Sequence, residues 1–188
     1  MSIQKYIQVT DENIPPKVIG QFIKYANTLS FREGEILSEN SEVQTNKSVR
    51  DVGVFPLSKY TKELTLTHWN NLMEYIFKKN FKEYVKVYPE ASYRTLTEIS
   101  LLKYQDKGFY KYHVDHDAKI PRTFSCVILL NNDYKGGELC FWDTFAKEEI
   151  KISTSPGRVI LWPSNFIFPH KINPVIEGTR YSVVLWAL

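Results

Sequence analysis

The chain has 188 residues, 43% hydrophobic and 24% charged, the balance of a soluble domain large enough to bury a sizeable core. A net charge of +3 is too small to argue for nucleic-acid or membrane partners, and no run approaches the roughly 18 apolar residues of a membrane span. The opening MSIQKYIQVT has no apolar core of a secretory signal, so the expected setting is cytoplasmic, with no nucleic-acid or membrane partner.

The first expected element is a helix. Asn13 is placed to cap it, Pro15 and Pro16 suit its first turn, and Val18, Ile19, Phe22, Ile23 and Ala26 recur at helical spacing. Residues 31–51 are polar and read as a long, mobile loop or a weak edge hairpin. A second helix is expected from about Thr67 to Tyr84, with Trp69, Leu72, Met73, Ile76, Phe77, Phe81 and Tyr84 as one apolar stripe. That stripe is read as packing against a sheet.

From Tyr93 the pattern changes to short runs rich in β-branched and aromatic residues. They cover Thr95–Tyr104, Phe109–Val114, Thr123–Leu130, Glu138–Trp142, Glu149–Ile152, Arg158–Trp162, Phe168–Pro174 and Arg180–Trp186. Asn131-Asn132-Asp133, Lys135-Gly136-Gly137, Ser155-Pro156-Gly157 and Glu177-Gly178 mark turns between them. The fold expected is mainly β with supporting helices, a jelly roll built as a double-sheet sandwich. It is read as a single domain over 1–188, with helical support over about 1–92 and the β core over about 93–188. Cys126 and Cys140 are too far apart for a Cys-x-x-Cys motif. Both are expected buried and reduced, with a disulfide as the alternative.

Four histidines occur: His68, His113, His116 and His170. His68 falls in the helical stripe and is read as structural or exposed. His113 and Asp115, in HVD, lie two apart, and on a strand such residues share a face. With a distal His170 they would offer two nitrogens and one carboxylate oxygen on one face of an octahedron, the donor set of non-haem iron(II) sites. His-x-Asp alone is a weak signal: a surface ion pair and a histidine satisfying a carbonyl are the bland alternatives. His116 has the opposite parity and is read as a rim residue.

Arg180 opens the last strand, where alternation groups Arg180, Ser182, Val184 and Trp186 on one face. A guanidinium pointing into a core needs an anion. A dicarboxylate ligand would supply one, as would a core Asp or Glu.

The segments KYQDKGFYKYHVD, RTFSCVILLN, YKGGELCFW, PGRVILWPSN, PHKINPV and EGTRYSVVLW resemble the 2-oxoglutarate oxygenases, most closely the prolyl 4-hydroxylase-like branch. The resemblance covers Tyr104 to Trp186. It implies a double-stranded β-helix (cupin-like) fold, iron(II) held by His113, Asp115 and His170, and 2-oxoglutarate anchored by Arg180, with Tyr104 and Ser182 as further polar contacts. Gly136 and Gly137 look like turn formers. Dioxygen is the implied co-substrate, with ascorbate as an accessory reductant. Tyr110, Arg122 and Trp186 match positions that contact the substrate peptide. Trp186 would stand towards the cleft mouth, roughly 20 Å along the strand from Arg180. Tyr110 has the wrong parity for His113 and needs a bulge to reach the metal. The chain departs from its relatives at Leu129 and Leu139, where a polar pocket residue is common.

The activity implied is a dioxygenase that hydroxylates prolyl residues in a peptide or protein. Hydroxylation of a free amino acid or other small metabolite is the alternative. An oxygenase of alkylated nucleobases and a catalytically lost metal-binding interaction module are weaker ones.

Overall fold

In the computed structural model, residues 2–37, 43–57 and 62–188 are described. The amino-terminal part contains β1 (Gln8–Thr10), α1 (Pro16–Ala26), β2 (Arg32–Glu33), β3 (Glu35–Leu37), β4 (Val43–Thr45), β5 (Arg50–Asp51), β6 (Gly53–Pro56) and α2 (Leu64–Val87). Then follow β7 (Leu96–Tyr104), β8 (Phe109–His113), β9 (Phe124–Leu129), β10 (Lys135–Gly136), β11 (Leu139–Asp143) and β12 (Glu148–Lys151). The chain closes with β13 (Val159–Pro163), β14 (His170–Ile172), β15 (Val175–Glu177) and β16 (Arg180–Ala187).

Two sheets make the β-helix. The larger has seven strands in the order β1-β13-β9-β16-β7-β6-β2, and the smaller has five, β12-β11-β14-β8-β5. Period-2 alternation decides what each face of the larger sheet meets. Cys126, Ile128, Leu161, Tyr181, Val183 and Leu185 face the helices and join Phe22, Trp69, Met73 and Phe77 in one apolar cluster. Their strand neighbours Val127, Leu129, Ile160, Trp162 and Val184 face the smaller sheet and join Leu139, Phe141 and Ile172 in a second cluster. The functional cleft opens between the two sheets.

Each of the eight expected runs contains a strand. Both cysteines are buried and free. Other expectations need correction. Asn13 does not cap α1: its Nδ2 donates to Thr10 O at 3.1 Å, and its Oδ1 accepts from Asn80 Nδ2 at 2.9 Å, tying β1 to α2. Pro15 takes the cap position without a side-chain bond. Pro16 has no N–H to be capped. The second helix begins earlier than its stripe, at Leu64, which is 87% exposed and stands off the buried face.

Nor is the stretch before residue 93 only helical support. It adds β1 beside β13, β6 beside β7 and β5 beside β8. Within 31–51, β3 and β4 pair as the edge hairpin, while residues 38–42 lie outside the described set. Among the described residues, no helix is long and apolar enough to cross a membrane.

Candidate metal centre

His113, Asp115 and His170 come from three places in the chain: the end of β8, the turn after it, and the start of β14. Pairing of β8 with β14 sets His113 opposite His170. One donor atom from each of the three lies within 4.8 Å of the others. His113 Nε2 is 3.6 Å from Asp115 Oδ1, and His170 Nε2 is 3.4 Å from Asp115 Oδ2.

The backbone fixes the rings. His113 Nδ1 stands 2.9 Å from Lys111 O, and His170 Nδ1 stands 3.0 Å from Phe168 O. A carbonyl oxygen only accepts, so each Nδ1 must carry a proton, and each Nε2 is the atom turned towards the cluster. Burial pushes the His170 imidazole down to about 4, the neighbouring His113 acts in the same direction, and Asp115 opposes them. For Asp115, burial alone would raise the carboxyl, but His170, His113 and Arg122 together hold it far below the ordinary carboxylate range. Two imidazole Nε2 atoms and one carboxylate thus converge on one point. These donors fit an iron(II) ion with open coordination positions.

His116 is not part of the cluster. It is exposed, its Nδ1 bonds to Arg122 O at 2.9 Å, and it lines the outer cleft. His68 is an exposed residue of α2, its ring 5.0 Å from that of Trp69.

Behind the triad, the inner cavity is lined by Leu102, Val127, Leu139, Ile172 and Val184, and by Tyr104, Arg180 and Ser182. Arg180 pairs with Tyr104 across β16 and β7, and its guanidinium lies 5.1 Å from the Tyr104 ring. The Arg180 side chain is buried at 1% exposure, and Nη1 donates to Ser182 Oγ at 2.7 Å. Nε and Nη2, which share one edge of the fork, make no well-formed hydrogen bond among the described residues, and the Tyr134 hydroxyl is the polar group beside the guanidinium. A buried guanidinium edge without an anion is costly, and a carboxylate would satisfy both donors at once.

Gly137 makes room here. At φ +67° it adopts the left-handed conformation, and a Cβ on it would stand 3.0 Å from Arg180 Cδ and 3.2 Å from Tyr134 Cε2. Gly136 at φ +73° is tighter still, since its Cβ would meet Pro174 O at 2.1 Å.

The outer cleft, of about 480 Å³, is lined by Arg50, Tyr110, His113, Asp115, Arg122 and Trp186, among others. The bulge that Tyr110 requires is present. Between His170↔His113 and Ile172↔Tyr110, β8 carries one residue more than β14. Lys111 and Tyr112 both turn outwards, and the Tyr110 ring stacks on His113 with centroids 3.6 Å apart. Arg122 lies over the Trp186 indole at 3.8 Å and donates from Nη1 to Asp115 O at 3.3 Å.

Two contributors escaped the sequence reading. Arg50, opposite Tyr110 on β5, lies 4.7 Å from the Tyr110 ring centre and reaches both cavities. Nothing in the polar segment 31–51 distinguishes it. Tyr134 packs beside Arg180, with its buried hydroxyl within reach of the guanidinium. Its position next to the glycine pair was the available clue.

Residues 99–188 match the family model described as 2OG-Fe(II) oxygenase superfamily. A PKHD-type hydroxylase of Pseudomonas putida is 31% identical over 93 residues, which are 44% of this chain and 39% of that protein. The chain therefore spans about two fifths of the length of that relative. A PKHD-type hydroxylase of Aliarcobacter butzleri is 25% identical over 170 residues, 85% of this chain and 68% of that one. Among solved structures, a Pseudomonas putida prolyl-4-hydroxylase aligns with TM-score 0.72 at 14% identity, covering 97% of this chain and 91% of its own. A Trichoplax adhaerens prolyl hydroxylase, solved with a hypoxia inducible factor oxygen degradation domain peptide fragment, aligns with TM-score 0.75 at 15% identity over 97% and 83% of the two chains. These solved structures share the double-stranded β-helix, and the strands that carry the triad and Arg180 lie in the segment that matches the 2OG-Fe(II) oxygenase superfamily.

Proposed function

We propose that this protein is an Fe(II)- and 2-oxoglutarate-dependent dioxygenase that hydroxylates a prolyl residue in a peptide or protein. The observation that carries the reading is the pairing of the His113–Asp115–His170 cluster with the buried Arg180 edge in one cavity. Iron(II) with 2-oxoglutarate and dioxygen would supply the oxidising chemistry, releasing succinate and carbon dioxide. The protein's own part is binding and orientation. His113, Asp115 and His170 hold the ion, and Arg180, set by Ser182, takes the distal carboxylate with Tyr104 alongside. Leu102, Val127, Leu139, Ile172 and Val184 exclude water behind the metal.

The outer cleft supports a peptide rather than a small enclosed metabolite. It runs from His113 and Asp115 past Arg122 and Trp186 to the β3–β4 hairpin, where Glu35, Ile36 and Val43 line it. The indole of Trp186 offers a face for a pyrrolidine ring, while Arg122 and Arg50 offer donors to peptide carbonyls. The related Trichoplax adhaerens enzyme, solved with a peptide fragment, is consistent with this use of the cleft.

The test is incubation with iron(II), 2-oxoglutarate and a proline-rich peptide library, read by mass spectrometry for added oxygen. Added oxygen on proline is expected. Oxygen on free amino acids or metabolites alone would overturn the peptide reading. In the same assay, Arg122→Ala and Trp186→Ala, made separately, are expected to lower peptide hydroxylation by about tenfold or more, the scale of a contact worth 1.4 kcal/mol. Uncoupled oxoglutarate decarboxylation should persist in both. Normal peptide hydroxylation by both variants would remove these residues from the substrate site.

A further inference from the structure

Asp115 is held by more than its two histidine neighbours. Its Oδ2 accepts from Ser125 Oγ at 2.6 Å, and Ser125 Oγ lies 2.7 Å from Ser164 Oγ. Ser125 is 0% exposed and Ser164 1%, so water does not compete for these bonds. The proton order follows from the donor inventory. An ionised carboxylate can only accept, and a serine has one proton to give. Ser125 gives its proton to Asp115, so Ser164 gives its own to Ser125.

The same residues also fix the backbone. Ser164 N donates to Thr123 O at 3.0 Å, and Ser164 O accepts from His116 N, next to Asp115, at 3.1 Å. Asp115 O accepts from Arg122 Nη1 at 3.3 Å. The carboxylate is thereby locked to β9 and to the segment after β13, with Oδ2 engaged by a hydroxyl and Oδ1 left towards His113 Nε2 at 3.6 Å.

We propose that Ser125 and Ser164 are positioning residues that hold Asp115 as a one-oxygen metal ligand and so keep a neighbouring coordination position open for the co-substrate. This rests on the metal-site reading above. An octahedral ion held by three protein donors has three positions left. With the ion bound, oxoglutarate and dioxygen would need those positions. A carboxylate free to bind through both oxygens would occupy one of them. The Ser125 hydroxyl opposes this by taking one lone pair of Oδ2 and fixing the rotation of the carboxylate, and Ser164 keeps Ser125 from rotating away.

Cobalt(II) serves as the probe, followed by its visible absorption, with 2-oxoglutarate binding to the cobalt-loaded protein measured by calorimetry. Ser125→Ala is expected to bind cobalt(II) within about threefold of the unaltered protein, because a second carboxylate oxygen offsets the lost hydrogen bond. Its 2-oxoglutarate affinity should fall by about 10- to 100-fold, the range seen when outer partners of a metal ligand are removed. Its cobalt spectrum before 2-oxoglutarate is added should differ from that of the unaltered protein. Ser125→Thr, which keeps the hydroxyl, should restore both readouts. Ser164→Ala, which leaves Ser125 in place, should shift both in the same direction by a smaller amount.

Unchanged 2-oxoglutarate affinity and spectrum in Ser125→Ala, or in Ser164→Ala should Ser125→Ala fail to fold, would overturn the positioning role. His113→Ala separates the two readings. If cobalt absorption does not depend on His113, the metal site itself is wrong. If it does, and the serine variants match the unaltered protein, only the serine relay fails.

Discussion

Replacing Asp115 with Ala is expected to abolish iron- and oxoglutarate-dependent turnover. Asp115 supplies the only anionic donor of the cluster, so its loss leaves two imidazoles facing a dication. Two imidazoles neither balance the charge nor fix three donors on one face. The loss of metal affinity should therefore exceed the 10- to 100-fold typical of removing an outer partner. The measurement is carbon dioxide release from 2-oxoglutarate together with metal titration, with a thermal melt to confirm folding. The melt is needed because Asp115 is buried and anchors Ser125. Full turnover by a folded Asp115→Ala protein would refute the assignment, and so would metal binding that depended on His116 instead.

What the sequence disclosed about this site depended on periodicity. Parity alone placed Arg180, Ser182, Val184 and Trp186 together, and these four residues do line the inner cavity. It failed for Tyr110, because a bulge adds one residue between Tyr110 and His113 and so reverses their relation. The short strands β1, β5 and β6 were invisible for a different reason. A run of two to four residues gives alternation too few positions to register, and these strands exist because a neighbouring edge recruits them.

Arg50 was hidden with β5. Asn13 looked like a cap because its residue type suits one, yet two prolines following it removed the need, and Asn80 on α2 offered it another partner. Ser125, Ser164 and Tyr134 illustrate a further limit. An ordinary hydroxyl acquires its meaning from what lies across the sheet. Ser125 meets Ser164 and Asp115 only because β9 pairs with β13 and the turn after β8 folds over both. Sequence spacing encodes none of these contacts.

Arg180→Ala should leave the metal cluster assembled and weaken 2-oxoglutarate binding severely. The residue lies on β16 behind the triad and, among the described residues, supplies no atom to the cluster. Its buried Nε and Nη2 edge can meet both oxygens of a carboxylate, and breaking such a buried charge pair costs on the order of 2–5 kcal/mol. That corresponds to roughly 30-fold or more in affinity, at 1.4 kcal/mol per factor of ten. Arg180→Lys separates charge from shape. Lysine would keep the positive charge but lose the planar fork, and its shorter set of donors could not hold Ser182 and a carboxylate in the same arrangement. A raised oxoglutarate KM with partial activity is expected for Lys, between the unaltered protein and Ala. The apolar Leu139 of the inner cavity sharpens the contrast, because it cannot take over the carboxylate. Oxoglutarate titrations of the metal-loaded proteins provide the check. An Arg180→Ala variant with unchanged oxoglutarate dependence would show that the distal carboxylate is held elsewhere. The nearest candidate would then be the buried hydroxyl of Tyr134 beside Arg180.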